Sequence, residues 1–176
     1  RGVGPKMGLK DAVLVDHRMR TSVERVWAAG DCAQTFQLVD GRPYWTSLAT
    51  ISSKQGRVAG INITGGEASY AGAFGTLITK AGPIEIARTG LQETELSGGD
   101  VAFSSTKIDS TTQPGYMPDA EPMSVKLVAE KGSGRLLGGQ IVGGKGAAMR
   151  IDILATALQA RMSVDQIHEL DLAYAP

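Results

Sequence analysis

The chain has 176 residues, 42% hydrophobic and 20% charged, a composition that belongs to globular proteins and excludes disorder. Lysine plus arginine equals aspartate plus glutamate, 18 of each, so no basic field draws in nucleic acid or an anionic membrane surface. No apolar run approaches the roughly 20 residues of a membrane helix and no signal-peptide pattern is present. The single cysteine excludes an internal disulfide framework and fits a reducing, cytoplasmic setting. The opening Arg1-Gly2-Val3-Gly4-Pro5 reads as the middle of a longer protein, so a fragment is expected.

In chain order, Ala12-Val13-Leu14-Val15-Asp16 reads as a short strand. His17 is a candidate general base, but no dyad partner is near it and it reads first as a polar strand-end residue. Val26-Trp27-Ala28-Ala29 is a continuous apolar run stopped by Gly30-Asp31, the pattern of a buried strand in a parallel sheet. Asp31 then stands at the carboxyl end of that strand, the edge where open α/β sheets bind ligands. A carboxylate there can accept hydrogen bonds from a polyol or ribose, and Gly30 lets the backbone come close. The plainer alternative is a strand end with an Asx turn. Cys32 is a candidate nucleophile by its solitude. It lacks a Cys partner or a cationic neighbour in sequence, so a buried, inert thiol is expected.

Residues 34–46 read as a loop with a turn at Asp40-Gly41-Arg42-Pro43. From 47 to 63, Leu48, Ile51, Val58 and Ile61-Asn62 give a partial helical period, with Thr46 or Ser47 as N-cap and Gly65-Gly66 as stop. The small, polar stretch from Glu67 to Gly75 is a composition shift. It divides the chain into residues 1–68 and 69–176.

The second part reads as α+β. Residues 76–81 and 84–89 are expected strands around Gly82-Pro83, 91–96 a short helix, and 101–108 a third strand. Met123 to Glu130 alternates, with Val125, Leu127 and Ala129 on one face, and Lys131-Gly132-Ser133-Gly134 turns it into a last strand over 135–142. The glycines at 138, 139, 143, 144 and 146 imply close backbone packing. Residues 147–162 form the clearest helix, with Ile151, Leu154, Ala155, Leu158 and Met162 in register and Ile153 and Ala157 widening the apolar zone. A helix apolar beyond one stripe has two neighbours, its own sheet and, here, a partner subunit. Ser163-Val164-Asp165-Gln166 is a capping box opening a final short helix that carries His168 on its solvated side. No metal site is expected.

Thr21 with Val26-Trp27-Ala28-Ala29-Gly30-Asp31 resembles the second flavin-binding motif of the FAD-dependent pyridine nucleotide–disulfide oxidoreductases. Further segments resemble the dimerisation domain of the same family: Ala87-Arg88-Thr89-Gly90-Leu91, residues 134–143, and Arg150-Ile151-Asp152. The resemblance implies an antiparallel sheet with helices packed on one face, preceded by a partial α/β FAD-binding segment. It implies FAD at Thr21, Gly30 and Asp31, the Asp31 carboxylate meeting the ribityl chain, and the backbone of Leu48 and Ala49 at the pyrimidine edge. A helix N-terminus suits the negative charge of reduced flavin. The family more often has proline where Ser47 stands, a departure a backbone role tolerates.

The family's redox cysteine, its glycine motifs and its NAD(P)H domain would lie upstream, and Cys32 is misplaced for the first of these. The chain ends Leu172-Ala173-Tyr174-Ala175-Pro176, whereas the thiol-pair reductases of the family carry His-Pro there. Alanine cannot shuttle protons, which disfavours glutathione or lipoamide chemistry. The ending resembles the branch of coenzyme A-disulfide reductases, NADH oxidases, NADH peroxidases and persulfide reductases, which use one upstream cysteine. By that resemblance Tyr174 and Tyr116 are the candidate catalytic phenols, acting in the partner's site of a homodimer formed through 69–176. A phenol with a pKa near 10 can hold and protonate a leaving thiolate or peroxide oxygen. Met117 replaces a second tyrosine common there, and a loop tyrosine packed on proline is the plainer reading of Tyr116. Lys54, Arg57 and Arg42 are candidate holders of coenzyme A phosphates, against the ordinary reading of solvated cations.

The expected function is therefore the carboxyl-terminal FAD-binding and dimerisation portion of an NAD(P)H oxidoreductase, inactive as a fragment. Its acceptor is coenzyme A disulfide, persulfide, peroxide or oxygen. Two alternatives stand beside it: a dimerisation module without activity, and a flavoprotein reductase serving a ferredoxin-like partner.

Overall fold

Leu136–Gly143 is a strand buried over nearly its whole length, and the larger part of the molecule is arranged around it. The computed structural model describes residues 4–173 and divides the chain into two units, Arg1–Gly75 and Thr76–Pro176.

In the second unit five antiparallel strands form one sheet in the order β3-β4-β7-β6-β5. They are β3 (Leu77–Ala81), β4 (Ile84–Gly90), β5 (Phe103–Thr111), β6 (Pro122–Glu130) and β7 (Leu136–Gly143). β7 is central, which explains why it reads apolar and glycine-rich without alternation. Gly82, at φ 60°, turns β3 into β4 through a two-residue loop, as such hairpins require. β5 is one of the two edges, and its residues from Ser104 to Thr111 are exposed and mostly polar. A charged, polar edge resists pairing with another chain.

The helix α3 (Ile151–Gln159) lies on β4 and β7 and buries Ile151, Leu154, Ala157 and Leu158. Two glycines of β7 permit the close layers. A Cβ on Gly138 would fall on the carbonyl oxygen of Leu91, and one on Gly139 would strike Leu154. The expected 147–162 helix is shorter: Ala148–Arg150 is a 3-10 turn, and α3 starts after it. The reason is Glu85 on β4. Its buried carboxylate accepts the N–H groups of Gly146 at 3.0 Å and Ala148 at 3.1 Å, and so shapes the chain ahead of α3. α2 (Glu93–Leu96) opens with a capping box between Gln92 and Glu95. α4 (Val164–His168) opens with the expected box between Ser163 and Gln166, and His168 is exposed.

The first unit holds a two-stranded ladder, β1 (Thr35–Phe36) with β2 (Pro43–Tyr44), inside the stretch expected to be all loop. Its one long helix is α1 (Ala49–Ile63). Met19, Ile51, Val58, Ala59, Tyr70 and Ala73 form the core, with Trp27, Ala29 and Leu48 packed against it. Residues beyond 68 bond into this unit: Tyr70 N–H reaches His17 O at 2.8 Å and Ala73 N–H reaches Phe36 O at 2.9 Å.

Three local expectations are corrected. Residues 26–29 are not a buried strand: Val26 is exposed, and Trp27 makes only an isolated bridge to Arg20. The segments 19–21 and 26–28 fold on each other through Thr21 N–H to Val26 O (3.0 Å) and Ala28 N–H to Met19 O (3.1 Å). A turn with Arg25 at φ 59° separates them, so the ladder cannot lengthen. Residues 12–15 likewise make bridges through Val13 rather than a strand. The N-cap of α1 is Leu48, not Thr46 or Ser47, and the Ser47 hydroxyl donates to Asp31 instead.

Candidate functional site

α1 carries an apolar stripe at Ile51 and Val58 that is interrupted by two buried polar residues, Gln55 and Asn62. Asn62 is fully used in the first unit. Its Nδ2 donates to Arg18 O at 3.0 Å and Ala68 O at 2.9 Å, and its Oδ1 accepts from Ala68 N–H at 3.1 Å. Gln55 faces the Gly30–Cys32 turn, where its Oε1 accepts the Gly30 N–H at 2.7 Å.

That turn is a single 3-10 turn presenting Asp31 to solvent. Ser52, one helical turn before Gln55, donates its hydroxyl to Asp31 Oδ1 at 2.9 Å, and Ser47 donates to Oδ2. The two hydroxyls, Ser47 first, hold the Asp31 pKa below the usual carboxylate range, against desolvation. Trp45 Nε1–H donates to the Asp31 carbonyl at 2.9 Å. Gly30 sits at φ 81°, and a Cβ there would lie 3.3 Å from Ser52 Oγ. Glycine therefore lets the turn adopt a left-handed backbone and approach α1 closely.

Asp31 is thus charged, exposed and held from two sides, with lone pairs left to accept further hydroxyl donors. Beside it α1 begins without a side-chain cap. The N–H groups of Ala49 and Thr50 have no carbonyl a turn earlier within the helix, and both residues are exposed. An acceptor for a polyol and a donor end for a negative charge stand on adjoining segments.

The other residues singled out in the sequence are placed as follows. Leu48 is half-buried on the core, and Ala49 is exposed at the first turn of α1. The Thr21 hydroxyl is engaged locally, with Val23 N–H at 3.1 Å and Val23 O at 3.2 Å. His17 Nδ1 bonds Tyr70 O at 2.9 Å and its ring lies 4.7 Å from that of Phe36, a structural role. Cys32 is exposed rather than buried, because the turn that carries it lies at the surface; its Sγ points to Ala29 O at 3.4 Å. Arg42 pairs with Asp40 at 2.6 Å, while Lys54 and Arg57 are exposed on α1. Among the described residues no cluster of three or more His, Cys, Asp or Glu could hold a metal ion.

Tyr116 belongs to the second unit and is 75% exposed, in the 112–121 connection between β5 and β6. Met117 N–H to Pro114 O at 2.8 Å and Thr112 N–H to Glu121 O at 2.8 Å shape that connection. A cavity of about 610 Å³ opens beside it, lined in part by Thr112, Asp119, Glu121, Lys145 and Arg150. Tyr174 lies outside the described residues.

Sequence reasoning picked out Asp31 and missed Ser47, Ser52 and Gln55 as its supports. The signal for Gln55 was present: a glutamine occupying an apolar stripe between Ile51 and Val58 needs a buried partner.

Comparison with known proteins agrees with the resemblance. The profile of the pyridine nucleotide-disulphide oxidoreductase dimerisation domain matches residues 78–176, and that of the pyridine nucleotide-disulphide oxidoreductases matches residues 2–56. The NAD(P)H sulfur oxidoreductase (CoA-dependent) of Pyrococcus abyssi is 39% identical over 176 residues, covering 100% of this chain and 39% of the relative. The NAD(P)H coenzyme A polysulfide/persulfide reductase of Pyrococcus horikoshii is 38% identical over 174 residues, covering 99% of this chain and 39% of the relative. Among solved structures, a NAD-dependent persulfide reductase from A. fulgidus superposes with a TM-score of 0.91 at 41% identity, covering 98% of this chain and 32% of that one. The chain thus spans about 39% of the length of the curated relatives it matches. With more than half of its residues in the matched dimerisation domain, the chain belongs to the pyridine nucleotide-disulphide oxidoreductase family.

Proposed function

We propose that this chain is the carboxyl-terminal part of an FAD- and NAD(P)H-dependent oxidoreductase that reduces sulfur–sulfur bonds, as in a persulfide, polysulfide or coenzyme A disulfide. The observation that carries the reading is the Asp31 carboxylate, exposed and kept ionised by Ser47 and Ser52 beside the uncapped start of α1. This donor and acceptor set suits a flavin. Asp31 would accept hydroxyl hydrogens of the ribityl chain, Gly30 would leave room for it, Thr21 would be a further contact by resemblance, and the backbone of Leu48 and Ala49 at the start of α1 would favour negative charge. Bound FAD would supply two-electron transfer from nicotinamide towards sulfur.

The choice of sulfur over peroxide or oxygen is supported by the names of the similar proteins at 38–41% identity, a sulfur, a polysulfide/persulfide and a persulfide reductase, whereas the NADH oxidases that also match are 30% identical. Residues 69–176 form the homodimer, and the Tyr174 and Tyr116 phenols hold and protonate the departing thiolate in the partner's site. The NAD(P)H site and the redox cysteine belong to the part of the protein upstream of this chain.

The test is a titration of FAD into the apo form of the full-length protein, followed by flavin fluorescence. Asp31→Ala is expected to raise the FAD dissociation constant by about tenfold or more, the worth of hydrogen bonds to a charged acceptor. Unchanged binding would overturn the role of Asp31. NAD(P)H oxidation with coenzyme A disulfide, polysulfide, peroxide and oxygen in turn identifies the acceptor, and a rate confined to peroxide or oxygen would reject the sulfur reading.

A further inference from the structure

Gln55 is fully buried, at 0% exposure, on the inner face of α1. Its Oε1 accepts the Gly30 N–H at 2.7 Å, which also fixes which amide atom points there, since only the oxygen can accept. Its Nε2 is buried as well and has no partner among the described residues. An amide kept only to fill the core would be better replaced by an apolar side chain, like Ile51 and Val58 on the same stripe. Asn62 shows the contrast: it is buried on that stripe too, but both ends of its amide are satisfied, as a structural amide should be. What offsets the half-used amide of Gln55 is the one peptide it holds.

That peptide is Gly30, in a left-handed backbone conformation immediately before Asp31. Ser52, three residues from Gln55 on the same helix, holds the next link, the Asp31 carboxylate. One helix therefore grips both the backbone and the side chain of the turn. Without the Gln55 contact the Gly30 N–H loses its acceptor, and glycine imposes little of its own conformation there.

We propose that Gln55 is the positioning residue of the Asp31 site: it fixes the Gly30 peptide so that the Asp31 carboxylate is already oriented when a flavin binds. The proposal rests on the reading of Asp31 as a flavin contact, and the test separates the two. FAD is titrated into the apo full-length protein, read by flavin fluorescence, for the parent, Gln55→Met, Asp31→Ala and the double variant. Apo thermal unfolding is measured in parallel. Gln55→Met keeps shape and removes the acceptor; it is expected to raise the dissociation constant about tenfold in the parent. In the Asp31→Ala background it is expected to change it less than twofold, because the contact acts through Asp31. The apo melting temperature is expected to stay within a few degrees.

If Asp31→Ala binds FAD like the parent, the flavin reading fails. If Asp31→Ala weakens binding and Gln55→Met does not, or weakens it equally in both backgrounds, the Gln55 proposal is overturned and the flavin reading stands. Where the Met variant does not fold, Gln55→Asn keeps the amide but is a methylene too short to reach Gly30. It carries the same expectation and the same refutation.

Discussion

Glu85 is a carboxylate with only 8% exposure on a β-strand, a position where charge is costly unless it is paired. The N–H of Ala148 stabilises it most; against desolvation, Lys80 at 3.3 Å and the Gly146 N–H add to that, so its pKa falls below the ordinary value of 4.5. A lowered carboxylate pKa means stability that is present above pH 4.5 and is lost as pH falls through the folded value. Glu85→Gln should therefore be less stable than the parent at pH 7 and show a flatter loss of stability on acidification. Urea unfolding at pH 7 and in steps below pH 4.5 checks this, and parallel acid slopes for the two proteins would refute it. Glu85 was not legible in the sequence as a partner of distant backbone, and for Gln55 only the need of a partner was legible, not which one. Asp31 stood out as a candidate because a glycine and an aspartate ending an apolar run is a local pattern. Glu85 reaches Ala148, 63 residues away, and such a separation leaves no local pattern to read.

Elements were legible where their signal was local and repeated. The β6–β7 hairpin, the stripe of α3 and the capping box at Ser163 depend on neighbours a few residues apart, and the structure has all three. The apolar run at 26–29 was misread because its length and composition fit a central strand, while pairing partners decide whether a strand exists. Here Arg20 supplies a single bridge. The start of α1 was misread for a related reason. Ser47 has the chemistry of an N-cap, but its hydroxyl is turned to the Asp31 carboxylate, and the helix starts one residue later, after Leu48. Ser163 is turned to its own helix: its Oγ accepts Gln166 N–H at 3.2 Å while Gln166 Oε1 accepts Ser163 N–H at 2.9 Å. Ser163→Ala should cost about 1 kcal/mol in urea unfolding with an unchanged m-value. Hydrogen exchange should quicken chiefly in 164–168, since Val164 N–H to Gly134 O at 2.9 Å still holds the start of α4 to the β6–β7 turn. Exchange that quickens equally across β7 would show that the cap supports the sheet, not the helix alone.

At the scale of the whole molecule, the dimerisation domain asks where a second copy would sit. The face of α3 turned to β4 and β7 is occupied by Ile151, Leu154, Ala157 and Leu158. Ile153 is only half-buried, and Met149, one turn before it, is 64% exposed. Two apolar side chains at i and i+4 share one side of a helical stretch, away from the stripe that its own sheet covers. With 18 positive and 18 negative side chains the chain has no net charge to hold copies apart. Ile153→Asp in the full-length protein should therefore shift sedimentation from dimer to monomer, since an unpaired carboxylate at a packed contact is strongly unfavourable. Because Ile153 also packs within its own chain, Met149→Asp is the sharper variant: its side chain is mostly in solvent here, so it should leave the monomer fold intact by circular dichroism and still dissociate the dimer. A dimer that survives both substitutions would place the subunit contact on another face of the second unit.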